Sequence, residues 1–487
     1  MPHIDTPQMR GRIGFARADI TPPVGIYHRL WGAATHERST GVHRPLLATA
    51  MWLGPLEGDA QLILDLDQCL LDADEIAKIR RRIHEAVPTG LANVLLTVSH
   101  THASGWMSRS REPFPGGELI PEYLKRVTNV CVDLAVKAAE NARPASLVFG
   151  TGRCSLAAQR DFFDAETNQF VCGFTPEGPT DDTVLVGKAI ADDGTVLGTI
   201  VNYACHPTTL AWENTLISPD YIGAMRDVVE THSSRHTPCA EGPHAERADY
   251  FAPCLFLQGA SGDLGPREGF VGHVEVADRN GRQLGFAALS ALESLPPPGT
   301  RFAYAGPVVS GATIGTWKHE STNADTTWLW RTITVDLPYR ADLPTIEGTK
   351  ADLAKWKENE EAARMLNDLD LARDCRAHVE RMTRQLARLN ALPPGPTFPL
   401  SVIIGRSGTT FWIFVPGELY HLFQTTLRLR FTDRAVIVVT LTNDWQPGYL
   451  PTESSYGKGI YQETIAMLAA GSLERLIERV ANELNTM

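Results

Sequence analysis

Residues 94–105 read Val94-Leu95-Leu96-Thr97-Val98-Ser99-His100-Thr101-His102-Ala103-Ser104-Gly105. The run Val94–Val98 has the length and β-branching of a buried strand. It breaks into a His-x-His pair, His100 and His102. Alternation along an extended chain puts both imidazoles on one side, where strand becomes loop. A rigid sheet positions such groups while the loop leaves them open to ligands. Neutral imidazole is the commonest metal ligand, so a metal hydrolase is the first functional expectation. Two surface histidines at a strand end are the plainer alternative.

Around this segment, strand-like and helix-like stretches alternate. Met51–Leu53 and Gln61–Asp65 read as strands, Asp74–Val87 and Pro121–Ala142 as amphipathic helices. Strands follow at Thr183–Ile190, Gly198–Tyr203 and Cys254–Gln258, then a helix at Val274–Leu295. Later strands are expected at Leu400–Ile404, Thr409–Phe414 and Ala435–Thr440, with helices at Leu419–Arg430 and Gln462–Leu484. This rhythm predicts an α/β architecture. Residues Ile346–Leu392 are rich in Ala, Leu, Lys, Glu and Arg and predict a long helix or helical hairpin, broken near Asn367-Asp368. Its charges read most simply as a solvated face. Thr231–Ala248 has loop composition and reads as an inserted surface loop.

The chain has 487 residues, 43% of them hydrophobic and 21% charged, which is ordinary globular composition with room for a large core. Its net charge of −12 and the lack of a long basic run exclude nucleic acid as the expected partner. No apolar stretch approaches the ~20 residues that span a bilayer, and Met1–Gly14 holds no apolar leader-like core, so a cytoplasmic location is expected. Eight cysteines without a Cys-x-x-Cys pair read as mostly reduced core residues.

Three more apolar runs stop at a polar group. Ile200–Tyr203 leads to His206, Thr410–Val415 to Glu418, and Val438–Leu441 to a Gly- and Pro-containing loop ending near Tyr449. Singly, a His before Pro is most often structural, and a Glu opening a helix suits the helix dipole. Together, His100, His206 and Glu418 make the three-ligand set of a catalytic zinc. Nothing in the sequence shows that the three meet.

Eight motifs, in order over residues 14–461, resemble the neutral (alkaline) ceramidases, zinc amidases that cleave the N-acyl bond of ceramide. They are Gly14-Phe-Ala-Arg-Ala-Asp-Ile-Thr-Pro-Pro, Gly41-Val-His, Ser99-His-Thr-His-Ala-Ser-Gly, Ala204-Cys-His-Pro-Thr, Leu216-Ile-Ser-Pro-Asp, Gln258-Gly-Ala-Ser-Gly-Asp-Leu-Gly-Pro, Pro416-Gly-Glu and Asn443-Asp-Trp-Gln-Pro-Gly-Tyr. The resemblance implies an α/β, mixed-sheet zinc hydrolase domain spanning residues 1–487, with the 346–392 helical segment inside it.

By position, the resemblance also implies Zn2+ held by His100, His206, Glu418 and a tyrosine, Tyr449. It makes His102 a substrate-contacting, proton-transferring residue, and Tyr461 and Arg160 further site residues. Asp263 and Asp220 read as groups that orient ligands or hold loops, and Asp19 as structural. The implied reaction is attack of water on a linear N-acyl amide of a small-molecule or lipid-like substrate. An ester or other small polar substrate, and a non-catalytic binding homologue, are the alternatives. Trp106-Met107 and Cys205-His206-Pro207 depart from the family pattern where substrate is expected to enter, and no membrane-binding amphipathic or basic stretch is seen.

Overall fold

The computed structural model describes residues 1–233, 252–323 and 325–487. The segment read as an inserted loop, Thr231–Ala248, lies outside the described residues except at its start, which ends a helix.

Eight strands form one mixed sheet: β1 (Gln8–Asp19), β2 (Leu47–Gly54), β3 (Gln61–Leu66), β4 (Val94–Val98), β5 (Arg143–Arg153), β6 (Thr183–Ala191), β7 (Val196–Tyr203) and β8 (Cys254–Gln258). Their order is β8-β7-β6-β5-β1-β2-β3-β4. Only the outermost pairs, β7 with β8 and β3 with β4, are parallel. A second sheet holds β9 (Trp328–Pro338), β10 (Thr397–Ser407), β11 (Thr410–Phe414) and β12 (Ala435–Val439), in that order, with β11 and β12 parallel.

Alternation assigns the layers. In β11, Trp412 and Phe414 join Leu95 of β4 and Leu255 and Leu257 of β8 in a core between the sheets. Phe411 and Ile413 point the other way, into a second core. That outer core is closed by α7 (Leu422–Arg430) and α9 (Ser472–Leu484), whose Leu473, Leu476, Ile477, Val480 and Leu484 make one apolar stripe. The outer face of the large sheet is covered by α1 (Ala73–Ala86) and α2 (Ile120–Glu140) on one half, and by α3 (Tyr221–Ser233) and α4 (Val274–Glu293) on the other. The result is a four-layer helix–sheet–sheet–helix stack, with β4 buried on both faces, as its mostly apolar, β-branched run favours.

The chain after β12 ties the two edges of the large sheet together. Asn443 donates its backbone N–H to Leu96 and accepts the Leu96 N–H through its side chain, at 2.7 and 3.0 Å. Thr440 donates its N–H to Gln258 at the end of β8. The carboxyl ends of β4, β7, β8, β11 and β12 therefore gather at one place, where open α/β sheets hold their ligands.

Several expectations needed correction. Of the two readings of the 346–392 segment, the structure has the helical hairpin, α5 (Ile346–Met365) and α6 (Leu369–Ala391), broken as expected at Asn367, which takes the left-handed conformation. Its charges are not simply a solvated face: Glu380, Gln385 and Arg388 of α6 are buried against the body of the protein. The last expected helix is two, α8 (Tyr461–Ile465) and α9, because the chain turns through a left-handed Gly471 before α9 begins. The helix expected from Leu419 starts at Leu422, since Glu418 and Leu419 pair with Tyr449 and Leu450 as a short bridge. The strand β9 and the hairpin Thr300–Ser310 with Ala312–Ser321 were not expected; the hairpin's outer residues are largely exposed, so no strong alternation marked them.

Candidate metal centre

His100 follows the end of β4 with φ +66°, a left-handed conformation uncommon outside glycine. The turn is held by Ser99 N–H to Leu66 O and His100 N–H to Gln68 O, both 2.9 Å. Past this turn, simple alternation no longer governs the pair. The rings of His100 and His102 lie edge-to-face at 4.9 Å, with His100 sunk in the interior and His102 lining a cavity.

His206 reaches the same point from β7, and Glu418 from β11. Glu418 is aimed by Pro416-Gly417: Gly417 has φ +84°, and its Cα passes so close to the next loop that a Cβ would lie 2.8 Å from Gly448 O. The Glu418 N–H donates to that same carbonyl at 2.8 Å. His100 Nε2 stands 3.0 Å from His206 Nε2 and 3.2 Å from Glu418 Oε2, and His206 Nε2 is 3.5 Å from the same oxygen.

The opposite ring nitrogens decide the chemistry. His100 Nδ1 lies 2.9 Å from Cys69 O, and His206 Nδ1 3.3 Å from Ser261 O. A carbonyl only accepts, so each Nδ1 carries a hydrogen, and in the neutral imidazole that binds a metal each Nε2 then presents a lone pair. Two imidazole lone pairs and a carboxylate oxygen thus converge in a buried space. Both imidazoles are oriented through their far nitrogen, as metal-ligating histidines are. This donor set fits a zinc ion. Cys69 Sγ with His100 and His102 forms a second metal-capable group. Its sulfur lies 3.7 Å from His100 Nδ1, the nitrogen that Cys69 O already occupies, so the first set is favoured.

Tyr449 stands beside the three. Its hydroxyl accepts from Arg160 Nη2 at 3.0 Å, and its ring stacks 6.4 Å from His206. Arg160 is buried, anchored also to Gly262 O at 2.6 Å, with its guanidinium against the Tyr449 ring. Tyr461 meets Tyr449 edge-on at 6.2 Å and is 45% exposed, at the mouth of the cavity. All seven site residues expected from the sequence therefore lie together. Burial, with Arg160 and His100 nearby, keeps the His206 imidazole neutral far below the usual histidine range. Burial and the same kind of positive neighbours, His100 and Arg160 foremost, do so for His102, whose Nε2 has no hydrogen-bond partner. Burial opposes ionisation of Glu418, yet His100, Tyr449 and Arg160 outweigh it and hold the carboxyl below its ordinary value. Burial, then the Glu418 charge, push the Tyr449 phenol well up.

Asp263 accepts the His421 N–H and pairs with its ring at 2.6 Å, fixing the loop that follows Glu418. Asp220 accepts the N–H groups of Leu210 and Tyr221 and holds the loop after His206. Asp19 caps a turn at Thr21. Trp106 and Met107 do not line the cavity; both are packed in the core under α1 and α2, because the loop after the histidines folds inward. Trp106 acts from behind, stacked against Arg111 and Arg384.

The cavity beside the centre measures about 470 Å3. Sequence reading missed two parts of its wall. One is Trp31, whose ring lies 5.1 Å from that of His102. The other is α6, which contributes Ala377, Glu380, Arg381, Arg384 and Arg388. Their spacing of three and four residues was the available signal for a single helix face.

The fold and site together define an α/β protein with a buried His-His-Glu centre at its strand ends. The sequence model of the neutral/alkaline non-lysosomal ceramidase N-terminal region matches residues 12–273. The chain belongs to this family. It is 23% identical to the neutral ceramidase of Pseudomonas aeruginosa over 267 residues, 52% of this chain and 38% of that protein. It is 22% identical to the neutral ceramidase of Oryza sativa subsp. japonica over 260 residues, 49% of this chain and 31% of that one. These matches span well under half of the relatives' lengths. The crystal structure of the Pseudomonas neutral ceramidase superposes with a TM-score of 0.61 at 16% identity, covering 98% of this chain and 74% of that one. A ceramidase structure described as complexed with C2 gives 0.62 at 16% identity, covering 99% and 76%. At such identities the likeness is one of fold.

Proposed function

We propose that this chain is a zinc-dependent hydrolase of linear N-acyl amides. The reading is carried by the convergence of His100 Nε2, His206 Nε2 and Glu418 Oε2, each imidazole locked through its other nitrogen. His100, His206, Glu418 and Tyr449 would hold the ion, which when bound supplies Lewis acidity toward an acyl carbonyl and a water acidified to a pKa of ~7. His102, neutral and with Nε2 free of partners, can take up a proton and pass it to the leaving nitrogen. Tyr461, beside Tyr449 at the cavity mouth, offers a hydroxyl to the carbonyl oxygen as charge builds there. Arg160 keeps the Tyr449 hydroxyl oriented.

Family membership supports the amide as the bond, since the matched relatives are named neutral ceramidases. The apolar cavity wall of Leu30, Trp31, Phe270 and Ile465 suits an acyl chain. Replacing His206 with Ala tests the reading. We expect mass spectrometry to find stoichiometric zinc in the parent and little in the variant, with chelator-sensitive hydrolysis of N-acyl amides lost alongside. Unchanged zinc in the variant would sink the ligand assignment, and hydrolysis of esters alone would sink the amide.

A further inference from the structure

The α6 side of the cavity carries more positive charge than the protein itself answers. Arg384 and Arg388 are one helical turn apart on the same face, where like charges repel. Arg388 is 8% exposed, and its one hydrogen bond among the described residues is to Gln385 Oε1 at 2.9 Å. Arg384 donates to the Leu30 carbonyl and lies against the Trp106 ring. Both leave a buried Nε without a partner, as does Arg160. None of the three pairs with a carboxylate within 4.0 Å among the described residues: Glu380, on that wall, is bonded by Arg111 and Arg376, each at 3.0 Å, and acts on Arg384 only from a greater distance, as Glu418 does on Arg388. A buried guanidinium without a counter-charge is costly, and its planar fork matches a carboxylate.

The position of this charge is informative. A smaller space of about 80 Å3 adjoins the centre, and Arg384 and Arg388 line it together with His100, His102, Glu418 and Tyr461. They also line the larger, mainly apolar cavity. An anion held here sits close to the reacting carbonyl, and an apolar chain runs beyond it. The chain's overall charge of −12 gives no general attraction for anions, so this patch is local.

We infer that the amide cleaved is an N-acyl amino acid, its carboxylate bound by Arg384 and Arg388 on the leaving-group side. This rests on the amide-hydrolase reading and names its substrate class. An α-carboxylate is separated from the amide nitrogen by one carbon, which matches an anion site that shares a cavity with the centre. Water adds to the acyl carbon, and the C–N bond breaks with its electron pair going to nitrogen. The acyl part leaves as a carboxylate, and both protons of the water end on nitrogen, giving the ammonium of the free amino acid. Arg160 is occupied with Tyr449 and is left out of this recognition.

The test compares N-octanoylglycine with its neutral counterpart N-octanoylglycinamide and with N-octanoylsphingosine, on the zinc-loaded 487-residue chain. We expect kcat/KM for the acid to exceed that for either neutral amide by at least tenfold, through KM. Arg388→Met and Arg384→Met should each bring the acid-to-amide ratio toward one, and Arg388→Lys should retain part of it. Thermal unfolding of each variant checks that it is folded. Equal kcat/KM for acid and neutral amides, or a ratio that neither Met variant moves, overturns the proposal and leaves the amidase reading standing. If no amide is cleaved, that reading fails and calorimetric binding decides. Acid bound tenfold tighter than glycinamide, with the margin lost in Arg388→Met, supports the anion site; equal binding overturns it.

Discussion

At the scale of single residues, the centre depends on backbone positions that few side chains tolerate. His100 sits in the left-handed region, and Gly417 does so with a carbonyl pressed against where a Cβ would stand. Gly417→Ala should therefore cost about 1 kcal/mol or more in stability. Because it displaces the loop that aims Glu418, it should also lower bound zinc. Urea unfolding and metal analysis of one preparation check both, and full zinc with unchanged stability would contradict the account. These residues were legible to different degrees. His100 and His102 stood out because an apolar run ended at them. Tyr449 followed only from family resemblance, since an isolated phenol is an unusual zinc ligand and nothing local marks it. Arg384 and Arg388 looked like any charged residues of an amphipathic helix, and only the packing of α6 buries their partnerless Nε atoms.

At the scale of elements, the α5–α6 hairpin is docked by charge as well as by apolar contact. Glu380 on α6 joins buried Arg111, in the loop after the His-x-His pair, and Arg376. Removing it strands a buried guanidinium, so Glu380→Ala should destabilise the protein by about 3–5 kcal/mol, read from urea midpoints. A loss below about 1 kcal/mol would show that the hairpin does not lean on this pair. The hairpin was readable in outline from the helix-forming composition between Ile346 and Leu392 and the break near Asn367. Its place over the cavity was not, because helical periodicity tells which residues share a face but not what that face meets. Strands that are almost wholly apolar, such as β4 and β12, were plain for the opposite reason: burial on both faces leaves at most one polar residue, Thr97 of β4, to disguise them.

At the scale of the whole molecule, pH reports on buried groups outside the centre. His28 is buried between Ala103 O and His36, and burial pulls its pKa down from 6.5 to about 4. Between those values the unfolded chain binds a proton that the folded one refuses. The contribution is fully present above pH 6.5 and is lost as pH falls to 4, amounting to about 3 kcal/mol. Asp220 works in the opposite sense: burial raises it to about 6, so its contribution is lost as pH rises through that value. The clean readout is the stability difference between the parent and His28→Gln, which should shrink by about 3 kcal/mol from pH 7 to pH 4. A difference independent of pH would exclude His28 as the titrating group.

What the sequence determined by itself was local: which of the strongly patterned runs are strands or helices, and which chemistry-bearing side chains stand where those runs stop. It also carried enough ordered motifs to identify the family over residues 12–273. The tertiary structure alone decided that His100, His206 and Glu418 meet, across 106 and 318 residues of chain. It also decided that α6 turns its arginines onto them. The reason is physical. Periods of two and 3.6 residues record how much of each element is buried, whereas strand order, the strap after β12 and the docking of the hairpin follow from packing all layers at once. That packing free energy is written in no single segment.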